Sequence, residues 1–129
     1  MTIAYTTHLI RYAMDEKNDC TVRALATATG MEYNKAHAIL REHGRRARTG
    51  VRITPLVNAY RAAMGVEHQR LTTPPTLHRF TEDHNTGTWI VRLSNHVFVL
   101  KDGVQYDMEH NGPRRRVLGY WLVPNPHQD

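Results

Sequence analysis

The run Gly87-Thr88-Trp89-Ile90-Val91-Arg92-Leu93-Ser94-Asn95-His96-Val97-Phe98-Val99-Leu100-Lys101-Asp102-Gly103-Val104-Gln105-Tyr106-Asp107 decides how this chain folds. Ser94-Asn95 and Asp102-Gly103 divide it into three stretches rich in β-branched and aromatic residues, the composition that suits a pleated, half-buried surface. The spacing predicts strands over 89–93, 96–101 and 104–108. Asp-Gly between two apolar runs signals a two-residue hairpin turn, because both residues tolerate the positive φ that such a turn requires. That turn sets Lys101 opposite Val104, and counting back pairs Leu100 with Gln105, Phe98 with Asp107 and His96 with Glu109. Side chains alternate along a strand, so His96, Asp107 and Glu109 then share one face, with Glu109 directly across from His96 and Asp107 its diagonal neighbour. A one-residue change of loop length would turn both carboxylates away.

Downstream, 117–123 reads as a further strand. Upstream, Asn85-Thr86-Gly87 releases the chain from a short helix over 77–83, introduced by Pro74-Pro75-Thr76 and burying Leu77 and Phe80, and 66–71 reads as a short strand. From Asn18 to Gly65 the period is helical. The first helix opens at Asn18 or Asp19, either of which can cap, carries Val22, Leu25 and Ala26 on one face, and stops at Gly30. The second, over 33–43, has Tyr33, Ala36 and Leu40 at helical spacing and runs into a basic loop from Gly44 to Gly50 that reads as mobile. Thr54 and Pro55 read as N-cap and first residue of the third, with Leu56, Val57, Tyr60 and Met64 facing the core before Gly65 ends it. Helices followed by strands predict an α+β fold, N-terminal helices packed on a C-terminal antiparallel sheet, in one domain spanning 1–129.

Composition bounds what such a domain does. The 129 residues are 40% hydrophobic, enough for one core. No apolar run reaches the roughly 18 residues of a membrane span, and Met1-Thr2-Ile3-Ala4 lacks the charged and apolar regions of a signal peptide, so the sequence predicts no membrane association and a cytoplasmic location. The lone cysteine cannot form an internal disulfide or a Cys-x-x-Cys zinc site, and none of the nine histidines sits in a His-Glu-x-x-His motif. Neither metal nor cofactor is expected. The net charge of +5 gathers in Arg41, Arg45, Arg46, Arg48 and Arg52 and again in Arg114-Arg115-Arg116. Arg45, Arg46 and Arg48 are candidate anion-binding residues; nucleic acid is the less favoured partner, because no aromatic residues are interleaved with them to stack on bases.

Cys20 sits in the first turn of the first helix. A thiol is a nucleophile only as thiolate, and the unpaired N–H groups and dipole of a helix N-terminus stabilise that anion. The same N–H groups can hold the oxyanion formed when a carbonyl is attacked. A small buried hydrophobe is the alternative reading of Cys20. His96, with a carboxylate on the same face, has the pattern of a base held through one ring nitrogen while the other takes a proton from a nucleophile; an ordinary residue near a strand end is its alternative.

The motif Asn18-Asp19-Cys20-Thr21-Val22-Arg23-Ala24-Leu25-Ala26 with its glycine-ended helix, followed by 87–93, Ser94-Asn95-His96-Val97-Phe98-Val99 and Asp102-Gly103-Val104-Gln105-Tyr106-Asp107, resembles small papain-like cysteine peptidases, many of them encoded by bacteriophages. The likeness runs from about Asn18 to Asp107. It implies a papain-like fold and a triad of Cys20 as nucleophile, His96 as general base and then acid, and Asp107 as the group orienting His96, with Glu109 the alternative orienting residue. If the chain is phage-encoded, its location would be the host cytoplasm. Papain-like enzymes commonly place an oxyanion-hole glutamine before the cysteine; the glutamines here are at 69, 105 and 128, and Asn18 is the substitute candidate, its amide offering a donor beside the Cys20 N–H.

The expected function is therefore cysteine-dependent hydrolysis of an amide, peptide or isopeptide bond in a protein or peptide substrate through an acyl-enzyme. The alternative is a non-enzymatic basic module that binds nucleic acid or a host protein, including a papain-like fold whose site is spent.

Overall fold

The structure, a computed structural model, describes Arg11 and residues 14–124; residues 1–4 and Gln128, read above, lie outside the described residues. The described residues include helices α1 Cys20–Thr29, α2 Tyr33–Glu42 and α3 Ile53–Met64, then strand β1 Gln69–Arg70 and helix α4 Leu77–Asp83. Strands β2 Thr88–Leu93, β3 His96–Lys101, β4 Val104–Tyr106 and β5 Gly119–Val123 follow. The five strands form one sheet in the order β1-β5-β2-β3-β4, every pairing antiparallel. The α+β expectation, helices ahead of an antiparallel sheet, holds.

Strand alternation sends side chains to two separate cores. Ile90, Val97, Val99, Trp121 and Val123 meet the apolar faces of α1, α2 and α3, including Val22, Leu25, Tyr33, Leu40 and Tyr60. On the other face Val91, Leu93, Phe98 and Leu100 pack against Leu77 and Phe80 of α4 and against Val117. The central strands β2 and β3 are covered on both sides, which is why they read as near-continuous apolar runs. Each fully buried Leu or Phe here contributes about 1.5–3 kcal/mol through removal from water.

The Asp102-Gly103 turn forms as the sequence predicts, with φ of 49° and 78° at its two residues, and Lys101↔Val104 and Leu100↔Gln105 pair as counted. The strand over 104–108 is shorter than expected, ending at Tyr106. Gln105 is the reason. Its side-chain amide accepts from the Asn111 N–H at 2.8 Å and donates to the Asn111 carbonyl at 3.0 Å, folding 107–111 into a loop before the ladder can continue. β5 starts at Gly119 rather than 117, and β1 spans only Gln69–Arg70 of 66–71. α2 ends at Glu42.

Two helix starts also differ. α3 begins at Ile53, so Pro55 falls on the third residue of its first turn, where a missing N–H still costs nothing. Its core residues Leu56 and Tyr60 are buried as expected, joined by Ala59, while Val57 and Met64 are only half-buried. α1 begins at Cys20 with Asp19 in the cap position, but no side chain caps it. The Asp19 carboxylate is engaged elsewhere, by Arg11, Arg23 and Tyr33. Gly30 ends α1 as expected, its left-handed φ of 75° letting its N–H reach the Ala26 carbonyl.

The basic loop is pinned, not free. Arg45 is buried, donating both terminal nitrogens to Glu16 at 2.9 Å and its Nε to the Thr49 carbonyl at 2.9 Å. Glu16 also accepts from the Arg48 N–H at 2.9 Å and bonds to His37 of α2. Three bonding groups on one carboxylate hold it ionised, with a pKa lowered to about 2 although burial pushes the other way. Arg45 is thus withdrawn from anion binding, since an arginine spent on a buried carboxylate has no donors to offer a ligand. Arg46 and Arg48 remain exposed.

Candidate active site

Cys20 is the first residue of α1, so its own N–H precedes the first intrahelical bond and points out of the helix end. Behind it, the Tyr60 hydroxyl donates to the Thr21 carbonyl at 2.6 Å, fixing the first turn from the core side. The His96 ring and the backbone N–H of Val97 both act on the sulfur to favour its thiolate. Sheet geometry supplies that second donor. A two-residue loop closes β2 on β3 with Leu93 opposite His96, so alternate N–H groups of β3, that of Val97 included, point toward β4. β4 ends at Tyr106, opposite Val99, so the ladder stops before it reaches Val97.

His96 is the first residue of β3, half-buried, its ring stacked on Phe98 at 6.1 Å between centroids. Its Nε2 meets Asp107 Oδ2 at 2.6 Å, so Nδ1 is the nitrogen left for Cys20. Asp107 is itself tightly held. It accepts from Arg23 Nη1 at 2.9 Å, from the Met108 N–H at 2.8 Å and from Asn111 Nδ2 at 3.0 Å. The ladder expected to set Glu109 directly across from His96 stops at Tyr106; the loop that follows brings Asp107 to His96 instead and carries Glu109 to an exposed position lining the same cleft.

The electrostatics favour a separated charge pair. Burial opposes the Cys20 thiolate, but the bonds from His96 and the Val97 N–H, together with the charges of His96 and Arg23, outweigh it and lower the thiol pKa. Burial likewise opposes the imidazolium, yet the bonds to Asp107 and Cys20 raise His96 to about 9. Asp107 is pushed up by burial and brought below its ordinary value by His96, Asn111 and the Met108 N–H. The Cys20 and His96 shifts both act in the direction of a thiolate beside an imidazolium.

Arg23 and Asp19 are the participants that sequence reasoning missed. Asp19 is fully buried and accepts from Arg11 Nη2 at 2.9 Å, Tyr33 Oη at 2.6 Å and Arg23 Nε at 3.1 Å, which hold its pKa near 2 against burial. Arg23 extends from Asp19 to Asp107, completing a chain of contacts from α2 through α1 to His96. The i, i+4 spacing of Asp19 and Arg23 was the available signal, an ordinary helical ion pair in sequence. Asn111, which donates to Asp107 Oδ2, is the other.

Asn18 adjoins Cys20 and lines the same cleft, in a left-handed conformation with φ of 51°. Its Nδ2 donates to the Arg48 carbonyl at 3.2 Å, tying it to the arginine loop. Two hollows, of about 480 and 530 Å³, meet at Cys20, Gly50, Asn95 and His96, which line both. Among the described residues no group of three or more His, Cys, Asp or Glu side chains could hold a metal ion, and no helix is long and apolar enough to cross a membrane. Comparison with known proteins gives no match among family models, curated proteins or solved structures.

Proposed function

We propose that this chain is a papain-like cysteine hydrolase that cleaves amide bonds in peptides or proteins, with Cys20, His96 and Asp107 as its triad. The observation that carries the reading is Cys20 at a helix N-terminus, lining one cleft with His96, whose Nε2 is held by a buried, four-fold bonded Asp107. Cys20 thiolate attacks the substrate carbonyl carbon, a C–S bond forms, and the carbonyl electron pair moves onto oxygen. The N–H of Cys20, with the second N–H of the Asn18 amide, is positioned to receive that oxyanion. His96 delivers its Nδ1 proton to the leaving nitrogen as the C–N bond breaks, leaving a thioester. Neutral His96 then takes a proton from water, the hydroxide attacks the thioester, and the acid departs as Cys20 thiolate and imidazolium are restored. Asp107 keeps its proton count throughout and holds the ring.

The test is the alkylation rate of Cys20 by iodoacetamide at neutral pH in native and urea-denatured protein, alongside turnover of a fluorogenic protein substrate. Faster labelling of the native protein, and turnover abolished by Cys20→Ala, are expected. Slower native labelling with no turnover would overturn the proposal.

A further inference from the structure

The two hollows that meet at Cys20 differ in charge. The 480 Å³ hollow is lined by carboxylates as well as cations, with the exposed Glu109 among them. No Asp or Glu lines the 530 Å³ hollow, whose apolar walls include Val51, Leu56, Leu93 and Val97 and whose only ionic side chains besides His96 are Arg52 and Arg92. Arg92 is half-buried in β2, on the sheet face shared with Ile90, between Val97 of β3 and Gly119 of β5. Arg70 adds repulsion from the next strand but one, and burial acts with it to lower the Arg92 pKa. No ion pair involves Arg52, Arg70 or Arg92 among the described residues. The contrast with Arg11, Arg23 and Arg45, each matched to a carboxylate, is sharp.

A guanidinium withdrawn from water without a counter-ion is costly, and a carboxylate brought to it gains a charge-assisted, bidentate partner in a medium that screens weakly. Apolar walls suit the stem that carries such a group. We infer that the hollow containing Arg92 and Arg52 is a substrate subsite for a carboxylate beside the scissile bond, supplied by an acidic side chain or by a free chain terminus. Glutamate fits the combination of apolar walls and a half-buried cation. The location of this carboxylate relative to the cleaved bond rests on the hydrolase reading; the affinity for it does not.

The test therefore has a binding arm and a turnover arm. Fluorescent peptides with blocked ends, carrying Glu or Gln at each position in turn, and their counterparts with a free C-terminus, are titrated by anisotropy against Cys20→Ser protein. A Glu peptide, or a free-terminus peptide, is expected to bind about tenfold more tightly than its neutral counterpart, and which of the two does so identifies the source of the carboxylate. Arg92→Gln should erase the difference and Arg92→Lys restore part of it. Equal binding of charged and neutral peptides to the protein with Arg92 intact would overturn the inference without any reliance on the variants folding. So would a preference that survives in folded Arg92→Gln, or an oligonucleotide that binds while the peptides do not. Equal turnover of Glu and Gln peptides by the wild-type enzyme rejects the subsite and leaves the hydrolase; selective binding with no turnover upholds the subsite and rejects the hydrolase.

Discussion

Arg23 Nη1 donates to Asp107 Oδ1 at 2.9 Å, so the helix that presents Cys20 is fastened to the residue that orients His96. Cys20 and His96, the proposed nucleophile and base, come from opposite halves of the chain, and this guanidinium ties the two halves together. It also contributes positive charge that favours the thiolate. Arg23→Gln is expected to lower kcat by about tenfold or more and to move the pH profile of Cys20 alkylation to higher pH. A purely structural arginine would leave that profile in place.

Asp107→Asn keeps the shape of the side chain but removes the charge that holds the imidazolium. A fall in kcat of roughly 10²–10⁴ is expected, as when a triad acid is neutralised. Glu109→Gln should change kcat by no more than a few-fold, because Glu109 is exposed and bonds to no triad member. Steady-state kinetics on the two variants decide the assignment; the reverse ranking would make Glu109 the orienting group.

Activity should follow a bell-shaped pH curve. The active state has Cys20 deprotonated and His96 protonated. Rising pH removes the His96 proton, so rate declines through about pH 9. Falling pH protonates Cys20, whose pKa is depressed, so the acid limb lies below the ordinary thiol range. Single-turnover rates across this range check both limbs, and a rate still climbing well above pH 9 would contradict the ion-pair state.

Stability should fall on acidification. Asp19 and Glu16 have folded pKa values of about 2, below their ordinary 3.8 and 4.5. The unfolded chain therefore binds these protons first, and the stabilisation present above about pH 4.5 is lost as pH falls toward 2. On the order of 2–3 kcal/mol for each buried carboxylate is at stake. Urea titrations at stepped pH measure the slope; Glu16→Gln should flatten it, and a flat wild-type profile would refute the account.

Arg45→Ala leaves Glu16 buried without its main partner and is expected to cost about 3–5 kcal/mol. Arg46→Ala, at an exposed position of the same loop, should stay within about 0.5 kcal/mol. Denaturant midpoints of the two variants make the comparison, and equal midpoints would return Arg45 to the surface.

The sheet was legible because a two-residue Asp-Gly turn fixes register as far as Tyr106; beyond it, counting on set Glu109 directly opposite His96, whereas the loop places Asp107 there. Cys20 was legible because a glycine-ended apolar period located the helix start. What escaped depended on side chains reaching across long sequence separations. Gln105 stopping β4, Glu16 pinning Arg45 twenty-nine residues later, and Arg23 spanning eighty-four residues to Asp107 leave no periodic trace. Arg45 looked like its neighbours Arg46 and Arg48 in sequence; only burial separates them.

The sheet is bounded by a two-residue strand at one end and a three-residue strand at the other. Long unpaired strand edges template self-association, and brevity at both rims is one defence against it. β3 is longer than β4, and past Tyr106 its donors would be open to a strand from another molecule. The Val97 N–H in that gap favours the Cys20 thiolate, so the rim that the short β4 leaves open borders the cleft holding Cys20 and not a free stretch of ladder.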